Sequence, residues 1–251
     1  MIHAIYFSAT ETTKRIVTAI AERLCDECKF LSLSARQPES IVMNHDDIAI
    51  LGVPVYGGRV PGLAVERLKA IHGKGQKAIA VCVYGNRDYD DALVELCDIA
   101  EQQGFTLIAA GAFIAEHCIF PKVATNRPDD VDMKNITLFA DLCRRRIAGV
   151  EAFNKDAVKG NRPYLTPAGV PIHPKADKRK CIRCGQCAQE CPTGAIDKAN
   201  PYHTNNSICI SCCRCISVCP SHARSFGGLL YKIAGWKFTK DNSRRREAEW
   251  F

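Results

Sequence analysis

Several things are scarce or missing in this 251-residue sequence. No apolar run approaches the roughly 20 residues that a membrane-spanning helix needs, so no membrane span is expected. Met1 leads directly into the apolar pattern Ile2-His3-Ala4-Ile5-Tyr6-Phe7, with no charged n-region and no cleavage site. No secretory signal is therefore read, and a cytoplasmic location is expected. The pattern G-x-G-x-x-G is absent, which argues against a nicotinamide dinucleotide site. Aromatic platforms and nucleic-acid motifs are missing too, so no nucleic-acid partner is expected. No general acid–base pair or nucleophile stands out.

Cysteine, by contrast, is abundant, at fifteen residues. A disulfide framework is not expected in so long a chain, and the free thiols imply a reducing compartment. The sequence reads C-I-R-C-G-Q-C-A-Q-E-C-P at 181–192 and C-I-S-C-C-R-C-I-S-V-C-P at 209–220. Both match C-x2-C-x2-C-x3-C-P, and the second follows the first by 28 residues. The echo continues beyond the cysteines, from Pro192-Thr193-Gly194-Ala195 to Pro220-Ser221-His222-Ala223. An internal duplication of this kind specifies two equivalent halves.

Each iron of a cubane needs a thiolate. Three cysteines at two-residue gaps let one tight loop ligate three corners, while the fourth, before proline, reaches the other cluster. One [4Fe–4S] cluster is thus assigned to Cys181, Cys184, Cys187 and Cys219. The other is assigned to Cys209, Cys212, Cys215 and Cys191. Zinc modules pair two C-x2-C or C-x2-C/H-x3-H units and have no use for a third cysteine followed by C-P. The stretch 176–226 resembles the bacterial two-cluster ferredoxins, which implies a small α+β domain. Cys213 is the odd cysteine of the second repeat, read as a neighbouring or exposed thiol.

Charge is unevenly placed. Residues 1–175 contain 21 Lys/Arg and 21 Asp/Glu, whereas 176–251 contain 13 and 6 and so carry the whole net +7. Each four-thiolate cubane brings about two negative charges when oxidised, so two clusters cancel more than half of that excess.

Over residues 1–150, apolar β-forming runs alternate with helical periodicity. Strands are expected at Ile2–Phe7, Phe30–Leu33, Asp47–Val53, Lys77–Tyr84 and Phe105–Phe113. Helices are marked by Ile16, Val17, Ile20, Ala21 and Leu24; by Val60, Ala64, Leu68 and Ile71; by Leu93, Leu96, Cys97 and Ala100; and by Ile136, Phe139, Ala140, Cys143 and Ile147. The alternation predicts a parallel, doubly wound sheet with helices on both faces. Its ligand site is expected at the carboxyl ends of the strands.

Three loops leave those ends. Ser8-Ala9-Thr10-Glu11-Thr12-Thr13 has four hydroxyls in six residues before a helix N-terminus, which suits a phosphate monoester. Pro54-Val55-Tyr56-Gly57-Gly58-Arg59-Val60-Pro61 offers close backbone approach and a flat stacking face. Tyr84-Gly85-Asn86-Arg87-Asp88-Tyr89 again mixes aromatics, glycine and polar groups. Taken singly, these loops also read as an ordinary N-cap and two tight turns.

Residues 1–150 resemble a flavodoxin, with a five-stranded parallel sheet of order 2-1-3-4-5. The resemblance implies FMN, its phosphate held by Ser8, Thr10, Thr12 and Thr13. Pro54, Val55, Tyr56, Gly57 and Gly58 would border the flavin on one side, and Tyr84, Gly85, Asn86 and Tyr89 on the other. Glu11 stands where that family commonly has glycine. Its carboxylate either repels the phosphate and weakens FMN binding, or turns to solvent. His117 offers a proton donor at a flavin edge or a satisfied loop histidine.

Residues 151–175 carry four prolines and are expected to run extended along the first domain, because Tyr164, Leu165 and Ile172 are poor solvent-exposed choices. After 226, Leu229, Leu230, Ile233 and Trp236 follow a helical rhythm, read as a packed basic extension over 227–251 with a frayed end. The function expected from these parts is electron transfer between redox partner proteins through the clusters and FMN. The alternative is an FMN-dependent reductase of a small acceptor, with a pocket near His117 and Arg59. A sensing module that keeps clusters without turnover is a third reading.

Overall fold

The computed structural model describes residues 1–35, 41–167 and 169–251. The first unit comprises β1 (Ile2–Tyr6), α1 (Thr12–Leu24), β2 (Cys28–Ser32), β3 (Ile48–Pro54), α2 (Gly62–Leu68), β4 (Lys77–Tyr84), α3 (Ala92–Gln102), β5 (Thr106–Ile114) and α4 (Asp130–Ile147). The second contains β6 (Lys175–Ala176), α5 (Gln186–Gln189), α6 (Arg214–Ser217) and β7 (Arg224–Ser225). Then come α7 (Leu229–Asp241) and β8 (Glu249–Trp250).

The strands of the first unit lie parallel in the order β2-β1-β3-β4-β5, the order of flavodoxin-like sheets. Side-chain alternation explains the two layers of core. Ile5, Phe7, Leu51 and Val53 face the side covered by α2 and α3, whereas Ala4, Tyr6, Ile50 and Val81 face α1 and α4. The strands are buried on both faces, as a parallel sheet between helices requires. Gly52 lets α1 approach the sheet: a Cβ there would lie 2.3 Å from Val17 Cγ2.

The chain's last residues are not a frayed end. β8 adds a sixth strand, antiparallel to β5, with Gly111 opposite Trp250 and Ala112 opposite Glu249. Phe251 and Ala110 exchange backbone hydrogen bonds at 2.9 and 3.3 Å. The Trp250 ring packs 6.4 Å from that of Phe139 on α4. Arg245 reaches Asp129, the residue that caps α4, at 2.6 Å. This edge strand escapes a sequence reading because it has only two residues and borrows its partner from 140 positions earlier.

Residues 161–165 strap across α3. Asp91 accepts from the Asn161 and Leu165 amides at 2.7 Å each, and Asp98 accepts from Arg162 at 2.6 and 2.7 Å. Residues 161–165 of the connection therefore lie along the first unit, whereas Lys155–Ala157 form a short 3-10 helix where extended chain is expected.

The two cysteine repeats fold alike. In each, a loop leads through a left-handed residue into a four-residue helix, Gly185 (φ 76°) before α5 and Cys213 (φ 66°) before α6. The sulfur of Cys191 accepts from the Ala195 amide at 3.3 Å, and that of Cys219 from the Ala223 amide at 3.2 Å. A short β6–β7 ladder closes the unit, pairing Lys175 with Ser225 and Ala176 with Arg224.

Candidate functional site at the junction of the two units

Loop 8–13 carries the chain from β1 into α1. Ser8 is used structurally: its hydroxyl accepts from the Lys14 amide at 3.1 Å, and its own amide donates to Ser34 Oγ at 2.5 Å. Glu11 takes a left-handed φ of 66° and leaves the α1 N-terminus without a side-chain cap. The Thr12 and Thr13 amides of that first turn are therefore open to an anion, the Lys14 amide being taken by Ser8. Thr10 and Thr12 lie 3.4 Å apart through their hydroxyls. With Thr13, Pro54, Val55, Tyr56, Tyr84 and Gly85 they line a small cavity, walled on its far side by Ala115 to Cys118.

A larger cavity of about 330 Å³ adjoins it and shares Val55, Tyr84, Gly85 and His117. Gly57 and Gly58 contribute to its lining, as do 169–172 of the connection and Leu230, Ala234 and Phe238 of α7. The first cavity combines hydroxyls with a helix N-terminus; the second is mostly apolar and aromatic. This donor set fits a phosphorylated cofactor with a flat ring system, the phosphate end toward α1.

Asn86 and Tyr89 lie outside both cavities. Asn86 donates to the Asn242 and Arg244 carbonyls at 2.9 Å each and accepts from the Arg246 amide at 3.1 Å. Tyr89 donates to Glu249 at 2.9 Å, and burial together with that carboxylate raises its pKa. Both are engaged by the returning tail, whose place there no local sequence pattern predicts. Arg59 is likewise occupied, bonded twice to Glu95 at 2.7 Å and stacked 4.6 Å over the Tyr164 ring.

His117 has a defined tautomer. Nδ1 accepts from the Ile119 and Phe120 amides at 3.2 and 3.1 Å, so in the neutral ring the proton sits on Nε2. Burial pushes its pKa down to about 4, reinforced by Arg87. Phe120 and Phe238 pack on the ring at 5.5 and 4.7 Å. Gly85 makes room, since a Cβ there would sit 2.5 Å from His117 Cδ2.

The helical rhythm of α7 is real, but the residues that mark it are largely exposed, Leu230 at the mouth of the larger cavity included. Leu229, Leu230, Ile233 and Trp236 are between 57% and 73% exposed. Tyr231 and Phe238 make the contacts with Phe120 instead, at 5.5 and 5.0 Å. The helix thus roofs the larger cavity, and Tyr231 Oη donates to the Ile119 carbonyl at 3.0 Å.

The second unit meets this site through its second repeat. Arg214 donates to Glu11 Oε1 at 2.6 Å, to the Ala9 carbonyl at 3.3 Å and to Glu190 at 2.8 Å. Glu11 therefore does not line the α1 cavity; its half-exposed carboxylate lies at the surface, paired with Arg214. Cys213 Sγ donates to the Cys118 carbonyl at 3.2 Å. The Tyr56 hydroxyl is pushed well up by burial, with Cys118, Cys212 and Cys213 close by. Farther from the junction, Cys181, Cys184, Cys187 and Cys219 ring one hollow, so the fourth cysteine of the second repeat joins the first three of the first. Arg224 reaches Cys187 Sγ at 4.0 Å. Among the described residues no helix is long and apolar enough to cross a membrane.

Comparison with known proteins agrees with this division. A family model described as a 4Fe-4S binding domain matches residues 174–197, which include the first cysteine repeat and end before the second. The chain thus joins a flavodoxin-like fold to a segment that matches a 4Fe-4S binding domain. No curated protein matches it. Among solved structures, rubredoxin oxygen:oxidoreductase from Desulfovibrio gigas overlaps 62% of this chain at 16% identity and a TM-score of 0.43. The chain spans only 37% of that enzyme. A Streptococcus pneumoniae flavodoxin overlaps 59% at 15% identity and 0.40, covered over 97% of its own length. A WrbA-like flavodoxin from Agrobacterium tumefaciens overlaps 59% at 13% identity and 0.42, covered over 96%. The fold assignment rests on the strand order and not on these overlaps.

Proposed function

We propose that this chain passes electrons between redox partner proteins through two [4Fe–4S] clusters and one FMN. The observation that carries the reading is the junction itself. Cys213 and Arg214 of the second repeat touch Cys118 and Ala9, which line the hydroxyl-lined cavity, at 3.2 and 3.3 Å. The loop that would hold one cluster thereby touches the cavity that would hold the flavin, and FMN, when bound, would exchange electrons singly or in pairs.

The chain's own groups have definite tasks in this reading. Thr10, Thr12, Thr13 and the first amides of α1 hold the phosphate. Val55, Tyr56, Tyr84 and Phe238 exclude water from the ring. His117 presents an Nε2–H donor and stays uncharged above about pH 4. Cys181, Cys184, Cys187 and Cys219 hold one cluster; Cys191, Cys209, Cys212 and Cys215 hold the other, nearer the flavin. Amide donors on the Cys191 and Cys219 sulfurs, and Arg224 beside Cys187, favour the more negative reduced state and raise the reduction potential.

The alternative, reduction of a small acceptor at the flavin, draws less support. Arg59 is bound to Glu95, and α7 with residues 169–172 roofs the larger cavity. The deciding experiment is anaerobic purification with iron, sulfide and flavin quantified. The expected result is about eight iron and one FMN per chain. Zinc in place of iron, or no flavin under gentle conditions, overturns the proposal.

A further inference from the structure

The two cysteine repeats differ at a buried position. With an offset of 28 residues, Gly185 of the first corresponds to Cys213 of the second. Both have left-handed backbone, φ 76° and 66°. Glycine adopts this conformation freely, whereas a side chain there costs about 1 kcal/mol. The repeats also exchange Gly194 for a left-handed His222, but His222 is exposed. Cys213 is only 3% exposed, so its strain is kept in the interior.

The Cys213 thiol meets a second thiol. Its Sγ donates to the Cys118 carbonyl at 3.2 Å, and Cys213 is the first of the groups that act on the Cys118 thiol. Cys118 itself lines the cavity at the α1 N-terminus. Neither cysteine is among the eight assigned to the clusters. A space-filling role would account for burial. It does not account for a strained cysteine whose thiol touches another cysteine from a different unit of the chain. Retained backbone strain of this kind points to function.

We propose that Cys118 and Cys213 form a third redox centre, a dithiol that closes reversibly to a disulfide between the second cluster loop and the flavin cavity. The proposal rests on the cofactor reading above. On closure two S–H bonds break and one S–S bond forms. The two electrons and two protons released pass to the oxidised flavin proposed for the adjoining cavity; opening reverses each of these changes.

The test is an anaerobic reductive titration of the full chain, with iron and flavin measured on the same samples. After mild oxidation the wild type is expected to take up about two electrons more than Cys213→Gly or Cys118→Ser. Cys213→Gly restores the residue that the first repeat carries at this conformation, so folding is not endangered. Peptide mapping after alkylation in denaturant is expected to yield a linked Cys118–Cys213 peptide from oxidised, iron-replete wild type only. Equal electron counts in all three proteins, or full alkylation of both thiols in the oxidised sample, overturn the proposal. Should flavin be missing throughout, the cofactor reading fails instead, and the peptide map alone decides the pair.

Discussion

The Arg214 guanidinium lies 2.6 Å from the Glu11 carboxylate, joining the second cysteine repeat to the loop before α1. Lys14 sits on the other Glu11 oxygen at 3.1 Å, so two cations offset the charge nearest the proposed phosphate. Glu11→Gly is therefore expected to change FMN affinity by less than about fivefold, since partly exposed pairs contribute at most about 1 kcal/mol. Arg214→Ala leaves the carboxylate less compensated, and FMN binding weakens several-fold. Titration of apoprotein with FMN, followed by fluorescence quenching at two salt concentrations, separates these outcomes. A sharp rise in flavin content in Glu11→Gly would show that the carboxylate repels the phosphate after all.

Removing the fourth cysteine of either repeat probes the crossed ligand sets. Cys219→Ala takes a ligand from the hollow lined by Cys181, Cys184 and Cys187. Each of Cys219→Ala and Cys191→Ala is expected to lower iron from about eight to about four per chain. Of the two, Cys191→Ala should slow flavin reduction more, because its proposed cluster lies at the junction. Equal effects on flavin kinetics would contradict that order.

His117 makes stability depend on pH. Its pKa falls from 6.5 to about 4 on folding, mainly through burial. Between those values the unfolded chain binds more protons than the folded one, so stability is full above about pH 6.5 and declines as pH falls toward 4. At 1.36 kcal/mol per unit, the loss is on the order of 3 kcal/mol. Urea melts at pH 7 and pH 4.5 on wild type and His117→Asn measure it; the variant should show a shallower decline.

Asn86 serves the tail. Asn86→Ala strands the Asn242 and Arg244 carbonyls and the Arg246 amide, at a cost of about 2 kcal/mol. FMN affinity should stay within about twofold, because Asn86 lies outside both cavities. A large loss of affinity with unchanged stability would return Asn86 to the flavin site.

These two residues mark where the sequence stops being informative. Asn86 and Tyr89 sit in a loop of the right composition at the right sheet edge, and residue type alone cannot tell a ligand contact from a contact with chain 150 residues away. α7 fails for a related reason. Its aliphatic stripe suggests the buried face, yet Tyr231 and Phe238 hold the helix down, since Phe120 and His117 present aromatic partners. Legible features depend on short-range rules: alternation along Ile2–Phe7, helical spacing in α1, and two-residue gaps between cysteines. His117 was visible as a polar group after β5; its tautomer needed the Ile119 and Phe120 amides in place.

The pairing of β8 with β5 alters what kind of attachment the cysteine unit has. A domain hung on one linker swings like a bead on a string, and its contacts with its neighbour come and go. Here the chain leaves the flavodoxin-like sheet through residues 151–175 and returns to it through β8. The cysteine unit is a loop held at both feet. Its distance from the cavities is thus governed by two covalent anchors as well as by side-chain contacts. Cutting either anchor with a protease should loosen the unit while leaving the other attached.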